Sequence, residues 1–99
     1  MATTLPTLDQ VRSRREEILA LAAHFGLSNV RVFGSVARGE SRPESDLDLL
    51  VEVEPGRGLD FIRFKSQLEE LLGCPVDLVT ESALYWRMRG PILREAVPL

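Results

Sequence analysis

Val30-Arg31-Val32-Phe33-Gly34-Ser35, followed after ten further residues by Asp46-Leu47-Asp48-Leu49-Leu50-Val51-Glu52-Val53, reads as a strand, a glycine break and a second strand. Val30 to Phe33 is rich in β-formers, and Asp46 to Val53 alternates with a period of two. That alternation sends Asp46, Asp48, Leu50 and Glu52 to one face and Leu47, Leu49, Val51 and Val53 to the other. Both aspartates therefore project the same way, opposite an apolar side fit for a core.

Upstream, Thr7 and Gln10 have the spacing of a capping box, and Leu8, Val11, Ile18, Ala22 and Phe25 recur at helical spacing up to a stop at Gly26. One amphipathic helix is expected there, with Arg12, Arg14, Glu16 and Glu17 on its polar side. A short helical turn around Val36 to Arg38 and a polar loop from Gly39 to Ser45, containing Pro43, link the two strands. Downstream, Pro55-Gly56-Arg57-Gly58 is a turn cluster. Phe61, Phe64, Leu68, Leu71 and Leu72 then mark a second helix ending at Gly73.

Val76 to Thr80 is a compact third strand, and Glu81 to Arg89 a third helix closed by Gly90-Pro91. Ile92 to Leu99 is expected to add one more helical turn. Strands alternating with helices point to a small α/β domain spanning residues 1–99, with a mixed sheet of three or four strands flanked by helices. The strand order is not legible from the sequence.

Composition narrows the function classes. The chain has 99 residues, 44% hydrophobic and 27% charged, which suits one globular domain with one core. Net charge is -3, and acids concentrate around the aspartate pair: residues 40–60 hold seven acids against two arginines. Residues 1–39 hold five arginines against three acids. A protein gripping nucleic acid through its backbone would carry a basic stripe instead, so that class is disfavoured. Cys74 is the only cysteine, which excludes an intramolecular disulfide and a thiolate zinc cluster and fits a cytoplasmic setting. No apolar stretch approaches the ~20 residues a membrane span needs.

The chemistry follows from the strand-turn-strand unit. A glycine ending a strand lets the backbone approach a ligand closely, and the turn after it can receive an anion, with Ser35 adding a hydroxyl. Asp46 and Asp48 offer hard oxygen donors of the kind Mg²⁺ takes together with substrate phosphates. Asp77 sits in the apolar run Val76-Asp77-Leu78-Val79, where an acid costs free energy unless paired or bound to a cation. If that strand neighbours the second one, Asp77 could complete a two-metal site and accept a proton from an attacking hydroxyl.

Phe33-Gly34-Ser35-Val36-Ala37-Arg38-Gly39 with Ser45-Asp46-Leu47-Asp48-Leu49-Leu50-Val51 resembles the signature of the DNA polymerase beta-like nucleotidyltransferases: Gly-Ser, a spacer, and Asp-x-Asp. The likeness is strongest to the minimal nucleotidyltransferases of bacteria and archaea, and it covers nearly the whole chain. It implies a small nucleotidyltransferase fold and transfer of a nucleoside monophosphate from an NTP, with pyrophosphate leaving. By matching position, Gly34 and Ser35 would hold the triphosphate. Asp46, Asp48 and Asp77 would bind two Mg²⁺, Asp77 doubling as the base, and Arg38 would lie near the phosphates.

The resemblance further implies an antitoxin that takes AMP from ATP and places it on a tyrosine of a HEPN-domain ribonuclease toxin. Relatives that act on drugs, tRNA or DNA carry a further domain for the acceptor, so a partner protein is expected to present it here. Two alternatives stand beside this reading: an antitoxin that masks its toxin without catalysis, and nucleotidyl transfer to a small molecule or RNA end. Among the remaining residues, His24 is expected to cap or pack, Phe61 and Phe64 to fill the core, and Cys74 to act as a small hydrophobe. Tyr85 and Trp86, near Arg87 and Arg89, are read as core or partner-facing packing.

Overall fold

The computed structural model describes residues 7–42, 45–56, 61–83 and 86–99. Pro43, the Arg57-Gly58 half of the turn cluster and Tyr85, together with the side chain of Trp86, lie outside them. The elements run α1 (Leu8–Ser13), α2 (Arg15–His24), β1 (Leu27–Phe33), α3 (Gly34–Arg38), β2 (Leu47–Val53), α4 (Phe61–Leu72), β3 (Val76–Thr80), a 3-10 turn (Glu81–Ala83), α5 (Trp86–Glu95) and β4 (Val97–Pro98). Among the described residues, no helix is long and apolar enough to cross a membrane.

The capping box forms: the Gln10 N–H donates to Thr7 Oγ1 at 3.2 Å, and the Thr7 N–H donates to Gln10 Oε1 at 3.3 Å. The single helix expected after it is instead two, divided at Arg14 (φ -112°, ψ 23°). Ser13 Oγ donates to the Gln10 carbonyl at 2.6 Å, a local bond that competes with the helical ladder. The Arg14 N–H closes a tight turn onto Val11 at 3.1 Å. The Arg14 guanidinium then donates to the Leu71 carbonyl of α4 at 2.7 Å, so the break ties the two helices together.

The strands form one mixed sheet in the order β3-β2-β1-β4, with β2 and β3 parallel and the other pairs antiparallel. Leu47, Leu49 and Val51 turn inward as their alternation predicts and meet Val11, Ile18, Ala22, Phe64 and Leu68 in the core. Leu50, sent by the same alternation to the acidic face, is also fully buried. That face is thus only partly open to water. Over it, α5 is fastened at both ends, by Arg89 to Glu81 at 3.1 Å and by Glu95 to Arg38.

The C-terminal stretch corrects two expectations. Gly90-Pro91 does not end a helix, because α5 begins only at Trp86 and runs through Pro91 to Glu95. Pro91, inside the helix, removes one intrahelical N–H donor, and α5 is held from outside on either side of it by Arg89 and Glu95. Of Ile92 to Leu99, the stretch up to Glu95 forms the last turn of α5, but the remainder is not helical: Val97 and Pro98 pair with Val32 and Arg31, and the Leu99 N–H donates to the Val30 carbonyl at 3.1 Å. This covers an edge of β1 that would otherwise expose unpaired backbone groups. Proline is tolerated there because no strand lies beyond it.

Candidate active site

Strand β1 ends at Phe33, and Gly34 turns the chain with φ +75°, a conformation that costs any residue with a Cβ. Phe33 is the register partner of Asp48, so the aspartate of β2 is carried directly to this turn. A Cβ added to Gly34 would overlap Oδ2 of Asp48 and come within 2.9 Å of its Cγ. Gly34 is therefore required twice, for its backbone angle and for the space that the Asp48 carboxylate fills.

The loop back to β2 is built from short bonds. The Glu40 N–H donates to the Ser35 carbonyl at 2.8 Å, and Gly39 ends α3 in the left-handed region. The Arg42 N–H donates to Ser45 Oγ at 2.7 Å, while the Ser45 N–H donates to the Arg42 carbonyl at 2.9 Å. This reciprocal pair sets where Asp46 leaves the loop. Ser45, which has no motif role beyond flanking the aspartates, acts as a clamp through its hydroxyl.

Asp77 enters from β3, which is parallel to β2 with Asp48 and Asp77 as register partners. The adjacency on which its role depended therefore exists. The start of β3 is secured by two bonds: Glu69 of α4 accepts the Val76 N–H at 2.9 Å, and the Leu47 N–H donates to the Pro75 carbonyl at 2.9 Å. Asp46, just before β2, and Asp77 are exposed, and Asp48 is partly buried.

Electrostatics bind the three acids into one unit. The Asp48 carboxyl is pushed up to about 6, first by burial, then by the charges of Asp77, Asp46 and Glu95, against the opposing effect of Arg38. Among the described residues no three acidic side chains converge closely enough to enclose a metal by themselves. A divalent cation that keeps waters and borrows substrate phosphates needs no such cage. Hard carboxylate donors that repel one another fit an ion of that kind.

Arg38 ends α3 and is bonded on two sides, Nε to Glu40 Oε2 at 3.1 Å and Nη1 to Glu95 Oε1. Glu95 escaped the sequence reading, being 47 positions from Asp48 with no motif around it. Only the packing of α5 against α3 brings it here. Cys74 is half-buried, and burial together with Glu69 and Asp46 pushes its thiol up. His24 packs edge-on against Phe25 at 5.0 Å between ring centroids, in keeping with a packing role.

A family model described as a nucleotidyltransferase domain matches residues 14–99, a span that holds the whole strand-turn-strand unit, β3 and α5. The chain belongs to the nucleotidyltransferase domain family. It is 44% identical over 78 residues to protein adenylyltransferase MntA of Thermococcus cleftensis, covering 78% of this chain and 79% of that protein. A solved structure given as a candidate minimal nucleotidyltransferase superposes with a TM-score of 0.84 at 56% identity, covering 94% and 96% of the two chains. The crystal structure of a toxin-antitoxin with AMP-PNP superposes with a TM-score of 0.69 at 23% identity, over 84% of this chain and 69% of that one, and shares the fold. This nucleotidyltransferase has the α/β architecture with a mixed sheet that the sequence pattern implied.

Proposed function

We propose that this nucleotidyltransferase is a Mg²⁺-dependent protein adenylyltransferase that moves AMP from ATP to a tyrosine hydroxyl of a partner HEPN ribonuclease toxin and so neutralises it. The observation that carries the reading is the interlock of Asp48 with Gly34, beside Asp77 in register. It sets a carboxylate pair against a turn free of side-chain bulk. The likeness to a relative named protein adenylyltransferase supports the acceptor class. A fold neighbour solved as a toxin-antitoxin with AMP-PNP supports the donor and the partner. A cytoplasmic setting follows from the use of ATP.

In this mechanism Gly34 and Ser35 receive the triphosphate, and Asp46, Asp48 and Asp77 hold the divalent cations. Held there, divalent cations would supply charge neutralisation for the phosphates during transfer. The tyrosine oxygen attacks the α-phosphorus, the bond from that phosphorus to the bridging oxygen breaks, and pyrophosphate departs. Asp77 takes the hydroxyl proton as the new P–O bond forms. Arg38, at the end of α3, meets the negative charge of the phosphates.

The test is direct. The protein is incubated with Mg²⁺, ATP labelled on the α-phosphate and a HEPN-domain partner that it binds, and the partner is weighed intact. Label on the partner with a mass gain of one or more AMP units supports adenylylation. A tight complex without label refutes it and favours masking.

A further inference from the structure

The Arg38 side chain lies at the surface on the last residue of a five-residue helix, where an arginine would ordinarily sample many rotamers. Here its guanidinium is held by two carboxylates from different parts of the chain, Glu40 on Nε and Glu95 on Nη1. These two bonds, on Nε and Nη1, set the orientation of the guanidinium plane. The two holders are not equivalent. Glu40 is two residues away on the same loop with its side chain 65% exposed, whereas Glu95 is 25% exposed.

Glu95 also sits on a braced element. The other end of α5 is tied by Arg89, which donates to Glu81 Oε1 and to the Glu81 carbonyl, each at 3.1 Å. Glu81 in turn accepts from Arg31 of β1 at 2.8 Å. A chain of charged contacts thus runs from the sheet through α5 to Arg38. Arg38 and Glu95 both act on the charge of Asp48, which places the pair at the edge of the acidic site.

We infer that Glu95 is a positioning residue for nucleotide binding: held by α5, it fixes the Arg38 guanidinium in one orientation before the triphosphate arrives. The inference rests on the nucleotidyltransferase reading of the site. Ordering a flexible arginine opposes binding, and an arginine already ordered removes that cost. Losing the Glu95 carboxylate should therefore weaken Mg-ATP binding by about 3- to 10-fold. The simple field effect of deleting a negative charge acts the other way, and it does not require Arg38.

A double-mutant cycle separates the two effects. Mg-ATP is titrated calorimetrically into the wild type, Glu95→Gln, Glu40→Gln, Arg38→Gln and the Arg38→Gln/Glu95→Gln double variant, each checked for an intact melting transition. Glu95→Gln is expected to bind more weakly by the stated factor and Glu40→Gln by less than about 2-fold. The double variant is expected to bind no more weakly than Arg38→Gln alone. Unchanged or tighter binding by Glu95→Gln, or an equal loss in both backgrounds, overturns the inference while leaving the nucleotide site standing. A wild type that takes up no Mg-ATP removes that site and the inference together.

Discussion

Asp48→Asn should make the metal-free protein more stable while destroying its activity, and the size of the gain follows from the site. In the folded chain the Asp48 carboxyl is raised from the ordinary 3.8 to about 6. At about 1.36 kcal/mol per pH unit, this sets a ceiling of about 3 kcal/mol of strain once the group is ionised. The carboxylate is partly open to water, and screening there reduces such energies, so about 1 to 1.5 kcal/mol is expected. For a domain of this size that raises the melting temperature by roughly 5 to 10 °C.

The sign is set by the direction of the shift. Because the folded protein binds the Asp48 proton more tightly than the unfolded chain, the wild type suffers no penalty below the ordinary value of 3.8. Its stability falls as pH rises toward about 6 and is fully penalised above that. The advantage of Asp48→Asn should therefore be full at pH 8 and vanish near pH 3.5. Melting curves across that range, without metal and then with Mg²⁺, provide the assay. Mg²⁺ should stabilise the wild type and not the variant, narrowing or reversing the gap. Transfer should fall by roughly 10²- to 10³-fold. A variant less stable than wild type at pH 8, or one whose gain is the same at both pH extremes, would refute the electrostatic account of the site.

Other substitutions probe neighbouring parts of the structure. Gly34→Ala, forced to φ +75° and into Asp48, should cost at least about 2 kcal/mol in urea unfolding and abolish transfer. Asp77→Asn removes a metal ligand and the base together, so Mg-ATP binding should weaken while transfer drops further, by about 10²-fold or more; an equal loss in both would remove its role as base. Phe64→Ala, emptying a fully buried site between α4 and the sheet, should cost about 3 to 5 kcal/mol and leave the domain marginal in calorimetry. Glu81→Gln should lower the melting temperature at neutral pH. The Arg31 hydrogen bond holds the Glu81 carboxyl below its usual range, so the difference should disappear as pH falls through that lowered value.

Much of this molecule is determined by residues close together in the chain. The period-two pattern specifies that Leu47, Leu49 and Val51 of β2 meet the core, while Val53 on the same side is exposed at the strand end and Leu50 on the other is buried. Thr7 and Gln10 cap α1 through atoms three residues apart, and the left-handed turn at Gly34 is a property of glycine itself. The local signals failed where distant contacts outweighed them. Ser13 and Arg14 divided the expected helix when Arg14 reached across to α4, and Pro91 could not stop a helix pinned by Arg89 and Glu95. Val97 and Pro98 became a strand because β1 had an edge to cover. The same division holds for the site. Asp46 and Asp48 are two residues apart in the chain, but the register of Asp77 beside Asp48, the seat of Asp48 on Gly34 and the arrival of Glu95 at Arg38 are pairings between remote segments. Tertiary structure alone decided them, since neither strand order nor helix docking has a periodicity that a single chain displays.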